Sequence, residues 1–389
     1  MPEFPFADRL TKLPPYLFAA IDEAKAEVQA RGVDIISLGI GDPDMPTPDF
    51  IIEALYKAAK KPANHQYPSY IGLPVFRQAV AEWYKGRFDV DLDWESEVVS
   101  LIGSKEGIAH FPLAFLNPGD LALVCTPNYP VYPTAVDFAG GEVQFVPLLK
   151  ENDYLPDLEA IGDDTWRRAK MIFINYPNNP TAAVATEDFY ARLVEKAREF
   201  ETIIASDAAY TELYFDEKDK PLSILQTPGA KEVAIEFHSL SKTYNMTGWR
   251  IGMAVGNAKL VEGLGKIKTN VDSGIFQAVQ EAGVEALKKG DHYAEQFRKV
   301  YKDRRDTVVA GLRKAGIECE EPKASFYVWA KVPGGAPSTE FCKEILQRTG
   351  VVVTPGVGFG QPGEGYFRIA LTVGGQRLDE AVSRLVENL

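Results

Sequence analysis

Apolar and polar positions change rhythm twice along this chain. From residue 17 to residue 88, apolar side chains recur at three- and four-residue spacing, which predicts helices over 17–31, 50–60 and 73–88. Between the first two, Leu38-Gly-Ile-Gly-Asp-Pro-Asp44 breaks any regular structure and reads as a loop. From Glu97 onward, short apolar runs alternate with helical stretches. Strands are predicted at 98–102, 121–125, 142–147, 171–175, 202–205 and 233–238, the last with Glu236 as its polar break. Helices are predicted between several of them, at 105–116, 132–139 and 186–200. After about Gly290 the pattern shifts to a helix over 292–315, strand-like alternation at 325–330, a helix at 341–348, a strand at 366–371 and a closing helix at 378–389.

Strands that alternate with helices argue for an α/β fold whose main sheet is largely parallel and covered on both faces. The pattern after Gly290 adds a smaller α/β unit, joined through the region near residue 280. In open parallel sheets, ligands bind beyond the carboxyl ends of the strands. The polar residues that follow the predicted strands are therefore the ones to inspect.

Five strand ends carry unusual groups. Gly103-Ser104-Lys105-Glu106-Gly107 opens a helix, where free backbone N–H groups favour an anion; Ser104 serves equally well as a helix cap. Tyr129, between Pro127 and Pro130, could stack on a flat ring or simply fill a turn. Asn175-Tyr-Pro-Asn-Asn179-Pro-Thr181 cannot continue a strand or helix, and its fixed loop could aim the Asn179 amide at a ligand oxygen. Asp207 places a carboxylate where it could pair with a cationic ring nitrogen or cap a helix, with Tyr210 three residues on. The fifth end is Ser239-Leu-Ser241-Lys242, with Arg250 eight positions beyond Lys242. Ser239, Ser241 and Arg250 could clamp a phosphate while the Lys242 amine reaches an aldehyde. Together the five ends match pyridoxal phosphate group by group.

The 389 residues allow one large domain plus a smaller one. With 42 basic against 55 acidic residues, the formal charge is −13, which argues against nucleic acid as a partner and asks any anionic ligand to find a local basic pocket. Cys125, Cys319 and Cys342 make neither a disulfide framework nor a metal knuckle, and four scattered histidines show no ligand spacing, so no metal is expected. The first ten residues lack the order of a signal peptide and no apolar run reaches membrane-span length, so a reduced, cytoplasmic protein without membrane association is expected.

The lysine segment, Tyr176-Pro-Asn-Asn-Pro-Thr181 and Asp207-x-x-Tyr210 resemble the signatures of the class I/II aminotransferases, pyridoxal-phosphate enzymes of fold type I. The resemblance runs the full length and includes Tyr366-Phe-Arg368-Ile-Ala-Leu371. It implies a large domain at 49–285 with a mainly parallel seven-stranded sheet, and a small domain formed by 1–48 with 286–389. It further implies pyridoxal 5'-phosphate as cofactor, with Lys242 bound to it as an aldimine, Asp207 on the ring nitrogen, and Asn179 and Tyr210 on the phenolate oxygen. By the same resemblance Tyr129 stacks on the ring, and Ser104, Lys105, Ser239, Ser241 and Arg250 hold the phosphate region. Tyr67 then reaches the phosphate of the other subunit of a homodimer, and Asn270 is likewise contributed across the interface. Arg368 clamps the substrate α-carboxylate, and Tyr16, Gly41, Lys105, Tyr129, Asn179 and Asn270 match other substrate-contact positions. One departure is Ala182, where the family usually has Gly.

Within the family, Leu38–Asp44, His65-Gln-Tyr67-Pro-Ser-Tyr70 and the lysine segment most resemble the branch that uses LL-2,6-diaminopimelate and 2-oxoglutarate. The expected substrates are thus a small amino acid and a 2-oxo acid, in lysine biosynthesis. The alternatives are an alanine, aspartate or aromatic aminotransferase, or a non-enzymatic cofactor-binding regulator. An appended DNA-binding segment and basic charge, which a regulator should carry, are not apparent in the sequence.

Overall fold

The computed structural model describes residues 4–11, 13 and 17–388. Its main sheet has seven strands: β1 Val98–Leu101, β2 Leu121–Thr126, β3 Glu142–Pro147, β4 Ala169–Asn175, β5 Ile203–Asp207, β6 Ala234–Ser239 and β7 Gly252–Gly256. They lie in the order β1-β7-β6-β5-β4-β2-β3. Strands β2 to β6 run parallel. β7 is antiparallel to both of its neighbours, so β1 points the same way as the parallel set. The hydrophobic pattern predicts six of these strands within a few residues. It does not pick out β7, a five-residue run that begins and ends in glycine.

Alternation along the buried strands sorts side chains into two cores. Leu121, Leu123 and Cys125 of β2 face a cluster with Phe76, Val80 and Tyr84 of the helix Pro74–Phe88. Ala122 and Val124 face the other way, against Ile108 and Phe111 of the helix Ser104–Phe115. Strands buried on both faces read as unbroken apolar runs, as β2 does. Edge strand β3 is mostly exposed and keeps polar residues.

A second, antiparallel sheet is built from β8 Tyr327–Lys331, β9 Thr354–Pro355 and β10 Tyr366–Ala370, with β10 in the middle. The early segment Ile36–Ser37 pairs with Val351–Val352, and the Ala370 N–H then donates to the Leu38 carbonyl. The loop Leu38–Asp44 is thereby held against the second sheet. It faces the carboxyl ends of β2, β4, β5 and β6, as does the start of the helix that follows β1.

Candidate active site

A cleft of about 380 Å³ opens at that junction, and four of the five strand ends singled out above meet there through Ser104, Tyr129, Asp207 and Lys242, the fifth through Asn179. Its floor is an anion cradle. Gly103, at φ 74°, turns the chain from β1 into the helix that begins at Ser104. The capping position falls on Gly103 rather than Ser104, which leaves N–H groups of the first turn without carbonyl partners in the helix. Across from it, the Ser239 Oγ accepts from the Ser241 N–H at 3.2 Å, and Arg250 donates to the Ser241 Oγ at 3.5 Å and to the Thr247 carbonyl at 2.6 Å. Glycine at 252 lets β7 come close: a Cβ there would lie 2.6 Å from the His238 carbonyl and 3.0 Å from the Ser104 nitrogen.

Asp207 closes one end of the cleft from the tip of β5. Tyr132 donates to its Oδ2 at 2.7 Å, while its Oδ1 is buried with no partner. Burial pushes this carboxyl up to about 6, against hydrogen bonds from Tyr132 and the Ala209 backbone that favour the anion. Asn175, at the end of β4, clamps the main chain by donating to the Asp207 carbonyl at 2.8 Å. The Asn175 Oδ1 also receives the Asn179 N–H at 2.8 Å, which fixes the Asn-Pro loop. Tyr129 lines the cleft with its ring edge-on to Tyr132 and 5.8 Å from the Lys105 ammonium.

Lys242 extends into the cleft from the short turn after β6 and donates to the Gly41 carbonyl at 3.0 Å. Burial, opposed by Asp42 and aided by Arg250 and Arg368, lowers it to about 8. Arg368, on β10, is buried over the rings of Tyr327 and Phe359. It donates to the Asn179 Oδ1 and to the Gly39 carbonyl, both at 2.7 Å, and its Nε has no partner. Arginine offers only donors, so the Asn179 oxygen must face it and the amide nitrogen must face away. Tyr210 shares a 3.1 Å hydrogen bond between hydroxyls with Tyr327.

The cleft thus gathers Gly41, Ser104, Lys105, Tyr129, Asn179 and Asp207 with Tyr210, Ser239, Ser241, Lys242, Arg250 and Arg368. Tyr67 and Asn270 do not line it: Tyr67 is 89% exposed, and the exposed Asn270 donates to the Lys266 carbonyl in its own helix. Tyr16 lies outside the described residues. Sequence reasoning gave no role to Tyr132, Asn175, Asp42, Tyr327 or Phe359. Asp42 and Asn175 stood inside quoted motifs, and Tyr132 is one helical turn beyond Tyr129; the partners of Tyr327 and Phe359 are distant in sequence.

Residues 33–385 match the family model for aminotransferase class I and II. The chain belongs to this family. A relative 71% identical over 99% of both chains is the LL-diaminopimelate aminotransferase of Maridesulfovibrio salexigens. Among solved structures, apo-BacF from Bacillus subtilis superposes with a TM-score of 0.95 at 38% identity, covering 100% of this chain and 99% of that one. A mutant aspartate aminotransferase from Thermus thermophilus gives 0.93 at 28% identity, with full coverage of both.

Aminotransferases of this family use pyridoxal phosphate, and the cleft fits it. The unpartnered, buried Asp207 Oδ1 asks for a cationic N–H. Glycines at 103 and 252 keep the cradle clear, since a Cβ on Gly103 would collide with the Arg250 Nη2. Anionic phosphate would find the N-terminus of the 12-residue helix Ser104–Phe115 with Arg250 opposite.

Proposed function

We propose that this aminotransferase moves an amino group from LL-2,6-diaminopimelate to 2-oxoglutarate, reversibly, giving glutamate and an oxo product that cyclises to tetrahydrodipicolinate in lysine synthesis. The observation that supports amino transfer is the convergence of Lys242, Asp207 and Arg368 in one cleft. The choice of donor is supported by the 71%-identical, full-length relative.

Pyridoxal phosphate, when bound, supplies an aldehyde for the amine and a ring that takes up the electron pair left at Cα. In our reading, Ser104, Lys105, Ser239, Ser241 and Arg250 hold its phosphate region. The Asp207 Oδ1 would keep the ring nitrogen protonated, the Asn179 amide and the Tyr210 hydroxyl would donate to the phenolate oxygen, and Tyr129 would cover the ring. Arg368 grips the substrate α-carboxylate with its planar fork. That grip holds the Cα–H bond near the Lys242 Nζ, and such orientation contributes up to roughly 7–11 kcal/mol. The lowered affinity of Lys242 for protons leaves a usable fraction of neutral amine that would take up the substrate's Cα proton. Gly41, and Tyr16 in the segment before it, contribute to the substrate end of the cleft.

A homodimer completes the reading, with Tyr67 and Asn270 each serving the partner's cleft. Cys125, Cys319 and Cys342 are free thiols, as suits the cytoplasm. No helix among the described residues is long and apolar enough to cross a membrane.

A panel of amine donors with 2-oxoglutarate tests the substrate. LL-diaminopimelate should give the highest kcat/KM; a larger value for alanine, aspartate or an aromatic amino acid would replace it with that second reading, which the shared fold of the Thermus aspartate enzyme keeps in view. Lys242→Ala should abolish turnover, and borohydride treatment of the native protein should fix cofactor mass on Lys242. Native turnover in that variant would sink the mechanism.

A further inference from the structure

We propose that Tyr132 is a positioning residue for the reaction, acting through Asp207. The inference rests on the reading above, in which Asp207 pairs with the ring nitrogen. Three observations carry it. First, Tyr132 is itself immobilised: it is 2% exposed and stacks on Phe173, with centroids 5.4 Å apart and planes 13° from parallel. Its hydroxyl donates to the Asp207 Oδ2 at 2.7 Å. Second, the main chain at Asp207 is fixed separately, by Asn175 on its carbonyl and by the Ala208 N–H on the Phe237 carbonyl. Those bonds leave the carboxylate free to rotate about its terminal torsion, which is intrinsically broad. Tyr132, together with the Ala209 backbone, restrains that rotation. With Oδ2 occupied, Oδ1 remains as the buried acceptor for a ring N–H.

Third, no Lys or Arg side chain hydrogen-bonds or ion-pairs with Asp207 among the described residues. The groups that bear on its charge are the Tyr132 hydroxyl and the Ala209 backbone, against burial. A donor on Oδ2 stabilises the carboxylate over the carboxylic acid. Without that donor Asp207 would hold a proton more tightly and would support a protonated ring nitrogen less well. A hydrogen bond to a charged group is the kind whose loss reads out as one to two powers of ten.

Tyr132→Phe keeps the ring and its stack and deletes only the hydroxyl. Expected are a fall in kcat of roughly 10- to 100-fold, a KM for the amino donor within about threefold of native, and roughly tenfold weaker binding of pyridoxal phosphate to the apoprotein by fluorescence titration. In an Asp207→Ala background the same substitution should have no further effect on either quantity. Tyr132→His, which keeps a donor, should lose less of both than Tyr132→Phe; should the phenylalanine variant fail to fold, the partial loss in Tyr132→His, absent in the Asp207→Ala background, carries the test. Native kcat and affinity in Tyr132→Phe would overturn the proposal, and so would a loss that adds in full to that of Asp207→Ala. If Asp207→Ala itself keeps native turnover and affinity, the underlying reading of Asp207 falls; if Asp207→Ala is crippled while Tyr132→Phe is native, only the role of Tyr132 falls.

Discussion

Lys242 is the residue on which opposing fields are most visible. Burial and the guanidinium groups of Arg250 and Arg368 disfavour its ammonium form, Asp42 favours it, and the balance settles at about 8. Only a neutral amine attacks an aldehyde. Uptake of pyridoxal phosphate by the apoprotein should therefore accelerate as pH rises, with its midpoint at about 8 rather than in the ordinary lysine range. Stopped-flow absorbance after mixing across pH 6 to 10 measures this, and a midpoint near that of free lysine (~10.4) would contradict the burial argument. Neutralising Asp42 with Asp42→Asn should move the midpoint down, because the charge that favours the ammonium form is gone. Much of this residue was legible in the sequence: two serines, an arginine and a preceding strand marked it. Its contact with the Gly41 carbonyl was not, because the partner lies 201 positions away. Ala182 shows the same limit. It adopts φ 63°, the left-handed region that explains why glycine is usual there. That conformation costs an alanine roughly 1–2 kcal/mol, but its methyl is buried and contributes about 0.8 kcal/mol, and glycine would lose more chain entropy on folding. The effects nearly cancel, so alanine stands without upsetting the loop.

The turn from β1 into the helix Ser104–Phe115 concentrates the requirements of a whole element on Gly103. Its φ of 74° is in the region L side chains avoid, and a Cβ would strike the Arg250 guanidinium. Gly103→Ala must either flatten the turn, removing the helix N-terminus from the cradle, or displace Arg250 from it. Both outcomes weaken anion binding, so affinity for pyridoxal phosphate and for its competitor, inorganic phosphate, should fall together by roughly tenfold or more. Calorimetric titration of the apoprotein would show it, and native affinity for both would mean that the cradle lies elsewhere. At this scale the sequence is a good guide wherever burial is on one face or both faces uniformly. Helices such as Asp49–Ala59 and Glu187–Glu199, and strands such as β2 and β4, follow from periodicity to within a few residues. β7 escapes because its start must be glycine for packing against β6 and Ser104 rather than for its own propensity. Glu236 reads as a break in an apolar run, yet it is fully buried in β6, accepting from the hydroxyls of Tyr84 at 3.1 Å and Ser223 at 2.7 Å. Tyr84 lies 152 positions away, and a local pattern cannot announce a partner so distant. The same reasoning explains why Asp207 and Asn179 were legible as strand-end groups whereas Tyr327, which reaches Tyr210 from the second sheet, was not.

The molecular surface poses the question that neither residues nor elements answer alone. The segment around Tyr67, Tyr70 and Ile71 lies against the end of the helix Ala258–Val271 and the start of Gln277–Lys289. Gln277 donates to the Ala63 and Gln66 carbonyls, and the rings of His65 and Phe276 are 6.5 Å apart. Tyr67, Tyr70, Ile71, Val271 and Phe276 are all exposed, as is Asn270, which precedes Val271. A run of large exposed apolar side chains on a chain of net charge −13 is poorly suited to water and well suited to a second copy of itself. The two residues expected to serve another subunit's cleft, Tyr67 and Asn270, each stand beside exposed apolar side chains, Tyr70 and Ile71 following the first and Val271 the second. Light scattering should return twice the 43.0 kDa of one chain. Placing charge in the patch with Val271→Glu and Phe276→Glu should shift the mass toward one chain and weaken cofactor retention in the same preparation. Tyr67→Phe should leave the mass unchanged and lower cofactor affinity by a few-fold, since it removes one hydroxyl and no apolar area. If the charged variant becomes a monomer yet holds pyridoxal phosphate as tightly as the native protein, Tyr67 does not reach across an interface and each cleft is complete within its own chain.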